Sequence, residues 1–122
     1  LPNKVGVGFD MVLFDPPHVN TGAPGRGPQA ESFQKYYGHF TTQQIRDLII
    51  GAAKESHRVS RPGAFMILKW NDHDISLEGV LGMLDPFWIR MFGHRVTTRT
   101  KHASGTYWVV LVRAALSAAE KP

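Results

Sequence analysis

Phe9-Asp10-Met11-Val12-Leu13-Phe14 is the first apolar run in the chain, short and β-prone, and it stops at Asp15-Pro16-Pro17. Proline cannot donate to a sheet ladder, so a strand ends there. A run this continuous reads as a buried strand, apolar on both faces. From His18 to Phe40 the chain turns polar and carries Gly22, Pro24, Gly25, Gly27 and Pro28. A stretch of that length and composition is expected to be a long loop or lid, or to be disordered over Thr21 to Pro28. The pattern then changes to helical. Thr41 and Gln44 form a capping box, and Ile45, Leu48, Ile49, Ala52 and Ala53 share one face. Arg61-Pro62-Gly63 reads as a stop and a turn. Ala64-Phe65-Met66-Ile67-Leu68-Lys69-Trp70 follows as a second buried strand with the polar exit Asn71-Asp72-His73-Asp74.

A second helix is expected from Ser76 to Leu84, its stripe formed by Leu77, Val80, Leu81 and Leu84 and its end set by Pro86. Either Asp72 or Asp74 would cap it. Phe87 to Phe92 reads as one further turn and Arg95 to Thr100 as a third strand. After a turn at Lys101 to Gly105, Thr106-Tyr107-Trp108-Val109-Val110-Leu111-Val112-Arg113 is a strong fourth strand. Ala114 to Pro122 reads as a flexible tail. The alternation predicts an α/β fold with parallel strands and a closing antiparallel hairpin. Most of Phe65, Trp88, Tyr107 and Trp108 are expected in its core.

With 122 residues the chain fits a single domain, 1–122. Its 43% hydrophobic and 20% charged residues suit a globular protein and argue against disorder. No run is long and apolar enough for a membrane span, and Leu1-Pro2-Asn3-Lys4 has no signal-peptide core. The absence of cysteine excludes disulfides, thiolate metal sites and cysteine nucleophiles. A first residue other than methionine, with a strand so close behind it, leads to the expectation of a processed chain or a fragment. The net charge of +4 favours an anionic partner such as nucleic acid. Arg90, Arg95, Arg99 and Lys101 form a basic run with no acidic residue between Asp85 and Glu120. It would contact phosphate or be a solvated strand face.

In an open parallel sheet, ligands bind beyond the carboxyl ends of the strands. Those ends are Asp15-Pro16-Pro17-His18, Lys69-Trp70-Asn71-Asp72 and Lys101-His102. An Asp carboxylate followed by a proline carbonyl makes a two-acceptor clamp for an amine, and His18 can stack on a planar ring. The alternative is a plain Asp-Pro turn. Trp70 would be a site wall, and Tyr36 and Tyr37 possible loop contacts. His73 between Asp72 and Asp74 does not suggest a metal, because adjacent loop residues rarely converge on one ion. An apolar strand ending in Asp also looks like a Walker B strand, but the sequence has no phosphate-binding G-x-x-x-x-G-K-[ST] loop.

The segment Phe9 to His18 resembles motif IV of class I S-adenosylmethionine-dependent methyltransferases, in particular the DPPY/DPPW amino-methyltransferases that modify exocyclic nitrogens of bases. Tyr37-Gly38-His39-Phe40-Thr41, Arg58-Val59-Ser60-Arg61-Pro62-Gly63-Ala64, Lys69-Trp70-Asn71, Phe92-Gly93-His94-Arg95 and Thr106-Tyr107-Trp108-Val109-Val110 resemble later segments of such enzymes, in order. The resemblance implies a Rossmann-like methyltransferase sheet and S-adenosylmethionine as cofactor. It implies transfer to an exocyclic amino group of a nucleic-acid base, adenine N6 favoured. Asp15, Pro16, Pro17 and His18 would be catalytic, with Asp15 also at the edge of the cofactor site. Trp70, Asn71, Tyr37, Arg95 and Lys101 would bind substrate. His18 departs from the family's Tyr, Trp or Phe. No glycine-rich cofactor turn precedes Phe9, since Val5-Gly6-Val7-Gly8 lacks a following helix. The resemblance is therefore to the carboxyl-terminal half of the fold, with the amino-terminal cofactor half missing. The Phe9–Phe14 edge would be covered by that missing half, a partner chain or a homodimer. The other reading is a non-catalytic methyltransferase-like subunit of a nucleic-acid-associated complex.

Overall fold

The computed structural model describes residues 8–18, 40–96 and 105–115. The elements are β1 (Phe9–Phe14), α1 (Thr42–Val59), β2 (Ser60–Asn71), α2 (Leu77–Leu84), β3 (Trp88–Val96) and β4 (Thr106–Arg113). They form a four-stranded sheet in the order β1-β2-β4-β3. β1 pairs parallel to β2, whereas β4 runs antiparallel to both of its neighbours. The last strand thus inserts between β2 and β3. The carboxyl ends of β1, β2 and β3 and the amino end of β4 all lie along one edge.

α1 starts where the capping box placed it. The Thr41 hydroxyl accepts the Gln44 N–H at 3.2 Å, and the Gln44 side chain returns a bond to the Thr41 N–H at 2.9 Å. Replacing Thr41 by Ala is expected to cost about 1 kcal/mol, read from urea denaturation. Ile45, Ile49 and Ala53 are buried on the α1 face toward the sheet. α2 is capped by Ser76, whose hydroxyl accepts the Gly79 N–H at 3.0 Å. Neither Asp72 nor Asp74 serves as the cap, because a cap hydroxyl must sit beside the first free amides and Ser76 is the residue next to them.

The third strand corrects the sequence reading. Trp88–Val96 is strand, including the residues read as a helical turn, and residues 97–100 lie outside the described residues. Its long pairing with β4 overrides the weak local preference of Phe87 to Phe92. β2 also begins earlier than expected, at Ser60. Its Arg61-Pro62-Gly63 segment lies in a register irregularity against β1, with Gly63 at φ +83°. Glycine takes that conformation without steric cost. The exposed Arg61 guanidinium pairs there with Asp10 across β1 and β2.

One face of the sheet is closed. Met66, Leu68, Trp70, Val109 and Leu111 pack with residues of both helices in a single core. Trp88 joins it and donates its indole N–H to Ser56 Oγ at 3.1 Å. His57, buried, donates from Nε2 to the Ala114 carbonyl at 2.8 Å, and Arg113 Nε donates to the His57 carbonyl at 3.0 Å. These bonds tie the end of α1 to the end of β4. Ala114 is therefore anchored and not part of a loose tail, while residues 116–122 lie outside the described residues.

The other face is open. In register it carries the rows Met11–Phe65–Val112–Ile89 and Leu13–Ile67–Val110–Phe92, then Lys69–Trp108–His94. Phe65 and Trp108 are exposed there, contrary to the expectation that they are core. Strand alternation sends them to the face opposite the helices. For the same reason β1 is apolar on both faces but buried on neither, with only Val12 and Phe14 touching the core.

Candidate active site

Asp15 leaves the end of β1 exposed, followed by buried Pro16 and half-buried Pro17 and His18. The His18 ring meets the Trp70 ring edge-on, with centroids 6.1 Å apart. This contact joins the ends of β1 and β2. Trp70 itself is fully buried and donates its indole N–H to the Ile75 carbonyl at 2.9 Å. It offers no free face to a ligand, so its place at the site is behind His18 and not as an open wall. The reason is alternation: position 70 shares the core-facing side of β2 with Met66 and Leu68.

Burial pushes the His18 imidazole below its ordinary pKa, aided by the positive charge of Lys69 and by His73. A hydrogen bond to the Pro16 carbonyl and the negative charge of Asp15 act the other way and are outweighed. A folded pKa below the unfolded one means that the unfolded chain takes up the proton first as pH falls. His18 thus contributes no penalty above the ordinary value of 6.5, and stability declines from there down to the lower folded pKa. An NMR titration of the His18 ring should give a midpoint below 6.5; a midpoint at or above it would contradict the burial effect.

The β2 exit is a network. Asp72 Oδ1 accepts the Gly105 N–H at 2.7 Å, Asp72 Oδ2 accepts the Tyr107 hydroxyl at 3.3 Å, and the Asp72 N–H donates to the Gly105 carbonyl at 3.0 Å. Asn71 Nδ2 donates to Thr106 Oγ1 at 3.2 Å, while its Oδ1 accepts the His73 N–H at 3.0 Å. These bonds fix the start of β4 beside the end of β2. The Arg95 guanidinium lies 5.9 Å over the Tyr107 ring. A Cβ at Gly105 would stand 2.5 Å from Arg95 Nε, so a side chain there would displace the arginine.

The structure thus brings Asp15, Pro16, Pro17, His18, Trp70, Asn71 and Arg95 to one edge of the sheet. Tyr37 and Lys101 lie outside the described residues. Tyr107 packs against the core and also reaches the site edge through its hydroxyl, a part the sequence does not indicate, nor does it indicate the hairpin-pinning part of Asp72. Only the polar run after β2 hinted at the latter. Lys69, part of the polar end of β2 expected at that edge, places its Nζ 5.8 Å from the Trp108 ring. No group of three or more His, Cys, Asp or Glu is placed to hold a metal among the described residues.

No family model matches the chain, and no curated protein matches it. Among solved structures it is similar to the N-methyltransferase NodS from Bradyrhizobium japonicum WM9 in complex with S-adenosyl-L-homocysteine. The TM-score is 0.52 at 11% identity, over 88% of this chain and 47% of that one. The fold is the Rossmann-like α/β fold of that structure. At this identity the likeness speaks for the fold alone. The chain spans about half the length of the methyltransferase it matches.

Proposed function

We propose that this chain carries the acceptor side of an S-adenosylmethionine-dependent methyltransferase that acts on an exocyclic amino group of a nucleic-acid base, adenine N6 favoured. The observation that supports it most is the position of Asp15-Pro16-Pro17-His18 at the carboxyl end of β1, against the end of β2, in a fold shared with an N-methyltransferase. Among the described residues no strand runs through a glycine-rich turn into a helix. The passage from β2 to α2, Asp72 to Ser76, contains no glycine and is knotted by Asn71 and Asp72. What the chain offers fits the methyl acceptor instead.

A sulfonium methyl donor is already activated, so the protein's task is orientation. Asp15, exposed and at the strand end, accepts an N–H of the amine and aims its lone pair. The Pro16 carbonyl is the second acceptor. An uncharged His18 lies edge-on against Trp70 and can face a planar base without repelling a neighbouring cation. Arg95 stands at the same edge for a phosphate.

The test is to supply the assembled protein with isotopically methyl-labelled donor and single-stranded oligonucleotides with and without adenine. Label in N6-methyladenine supports the reading. Label on a different amine would overturn the base assignment and keep the N-methyl transfer. The second reading, a non-catalytic methyltransferase-like subunit, draws on the half-length match. It requires that no label be transferred with any partner present.

A further inference from the structure

Trp70, Tyr107 and Arg95 stand side by side in the ladder, on β2, β4 and β3. His18 extends this row from the end of β1 through its ring contact with Trp70. The row thus runs from the place where Asp15 would hold an amine to the outer strand β3. With neighbouring strands about 4.8 Å apart, Arg95 lies about 10 Å from Trp70 along it. A stacked nucleic-acid strand advances about 3.4 Å per nucleotide, so that length takes about three nucleotides.

Arg95 is not held there by an acid. Among the described residues Arg58, Arg61 and Arg90 each pair with a carboxylate, and Arg95 does not. Asp72 has the same neighbours, Gly105 and Tyr107, and its two carboxylate oxygens accept from them. The Arg95 guanidinium lies instead over the Tyr107 ring and against Gly105. A Cβ at Gly105 would stand 2.5 Å from Arg95 Nε, and the three atoms nearest to it all belong to Arg95. The seat exists because position 105 has no side chain. Contact with a ring involves no acceptor oxygen, so the planar N–H fork is left for an oxyanion. Such a fork matches phosphate.

We infer that Arg95, seated by Gly105 and Tyr107, binds a backbone phosphate a few nucleotides from the target base, with Gly105 the positioning residue for that contact. Resting on the proposed transfer to a base, this assignment makes the acceptor a single-stranded polynucleotide. A free base or nucleoside has no phosphate to offer Arg95, and a duplex keeps the amine paired in the stack.

The test is fluorescence anisotropy of a labelled, adenine-free single strand of about ten nucleotides, titrated with the assembled protein at several salt concentrations. Each phosphate contact on a single strand adds about 0.7 to the steepness of log affinity against log salt. Arg95→Ala should weaken binding about tenfold and reduce that slope by about 0.7. Gly105→Ala keeps the charge and both backbone bonds to Asp72, so its thermal melt should stay in place. Its methyl displaces the arginine, and affinity and slope should fall in the same direction. In the Arg95→Ala protein the same glycine change should have no further effect. An unchanged slope in Arg95→Ala, an unchanged affinity in Gly105→Ala, equal glycine losses with and without Arg95, or no binding by the wild type would each overturn the assignment. The probe carries no adenine, so the result does not depend on methyl transfer. A slope lost with Arg95 but no N6 methylation sinks the base reading alone; N6 methylation with an unchanged slope sinks the Arg95 contact alone.

Discussion

Replacing Asp15 by Ala is expected to lower methyl transfer by the assembled enzyme at least about 10²-fold while leaving the melting temperature unchanged. The carboxylate stands exposed just beyond β1, so its removal opens no cavity in the core. What is lost is the acceptor that holds the amine in line with the methyl carbon. A misplacement of about 1 Å is enough for a loss of that size. Asp15→Asn keeps the shape and one acceptor oxygen, and should fall between the wild type and Asp15→Ala. Single-turnover rates with labelled donor, beside thermal melts of the same preparations, read both quantities. Full activity in Asp15→Ala would remove Asp15 from the chemistry.

Trp70→Ala is expected to destabilise the chain by about 3–5 kcal/mol. The side chain is fully buried between the sheet and α2. Its loss leaves a cavity and strips the Ile75 carbonyl of its indole partner at 2.9 Å. Domains of this size are held by about 5–15 kcal/mol in total, so most of that margin would go. The substitution also removes the ring behind His18, and the His18 titration should move back toward its ordinary value in any folded remainder. Trp108→Ala is the contrast. That ring is on the open face, contacts Lys69 and is half in water, so its loss should shift the urea midpoint far less. Equal losses for the two tryptophans would mean that the open face is closed by the chain itself.

Trp70 and Trp108 also show what a sequence can and cannot reveal. Both sit in strong strand patterns, and the sequence points to Trp70 as a site wall and to Trp108 as core. Their opposite fates follow from register, since Lys69 pairs with Trp108 and Trp70 with Tyr107 on the two faces of the same ladder. Nothing local says which face the helices choose. The third strand was misplaced for a related reason. Trp88-Ile89-Arg90-Met91-Phe92 has no clean alternation, and β3 carries an irregularity between Arg90 and Phe92. Its strand state comes from the hydrogen bonds of β4, a partner distant in sequence. The sequence marks Asp72 as a helix-cap candidate, whereas it pins the hairpin. Its partners Gly105 and Tyr107 are more than 30 residues away, and no spacing rule links them.

Local chemistry was legible by itself. The Thr41–Gln44 capping box, the stop at Asp15-Pro16-Pro17, the strand core of β2 and β4 and the closing hairpin each depend on residues close in sequence or on one strong periodicity. The α/β class and the edge where chemistry would sit follow from that order of elements, because parallel strands put their carboxyl ends together. The tertiary structure alone decided which side chains the helices cover and that β4 slips between β2 and β3. It also decided that His18 leans on Trp70 and that an apolar face runs unbroken from β1 to β3. Those are properties of pairing and register between distant segments, and a chain's local preferences do not encode which distant segment it will meet.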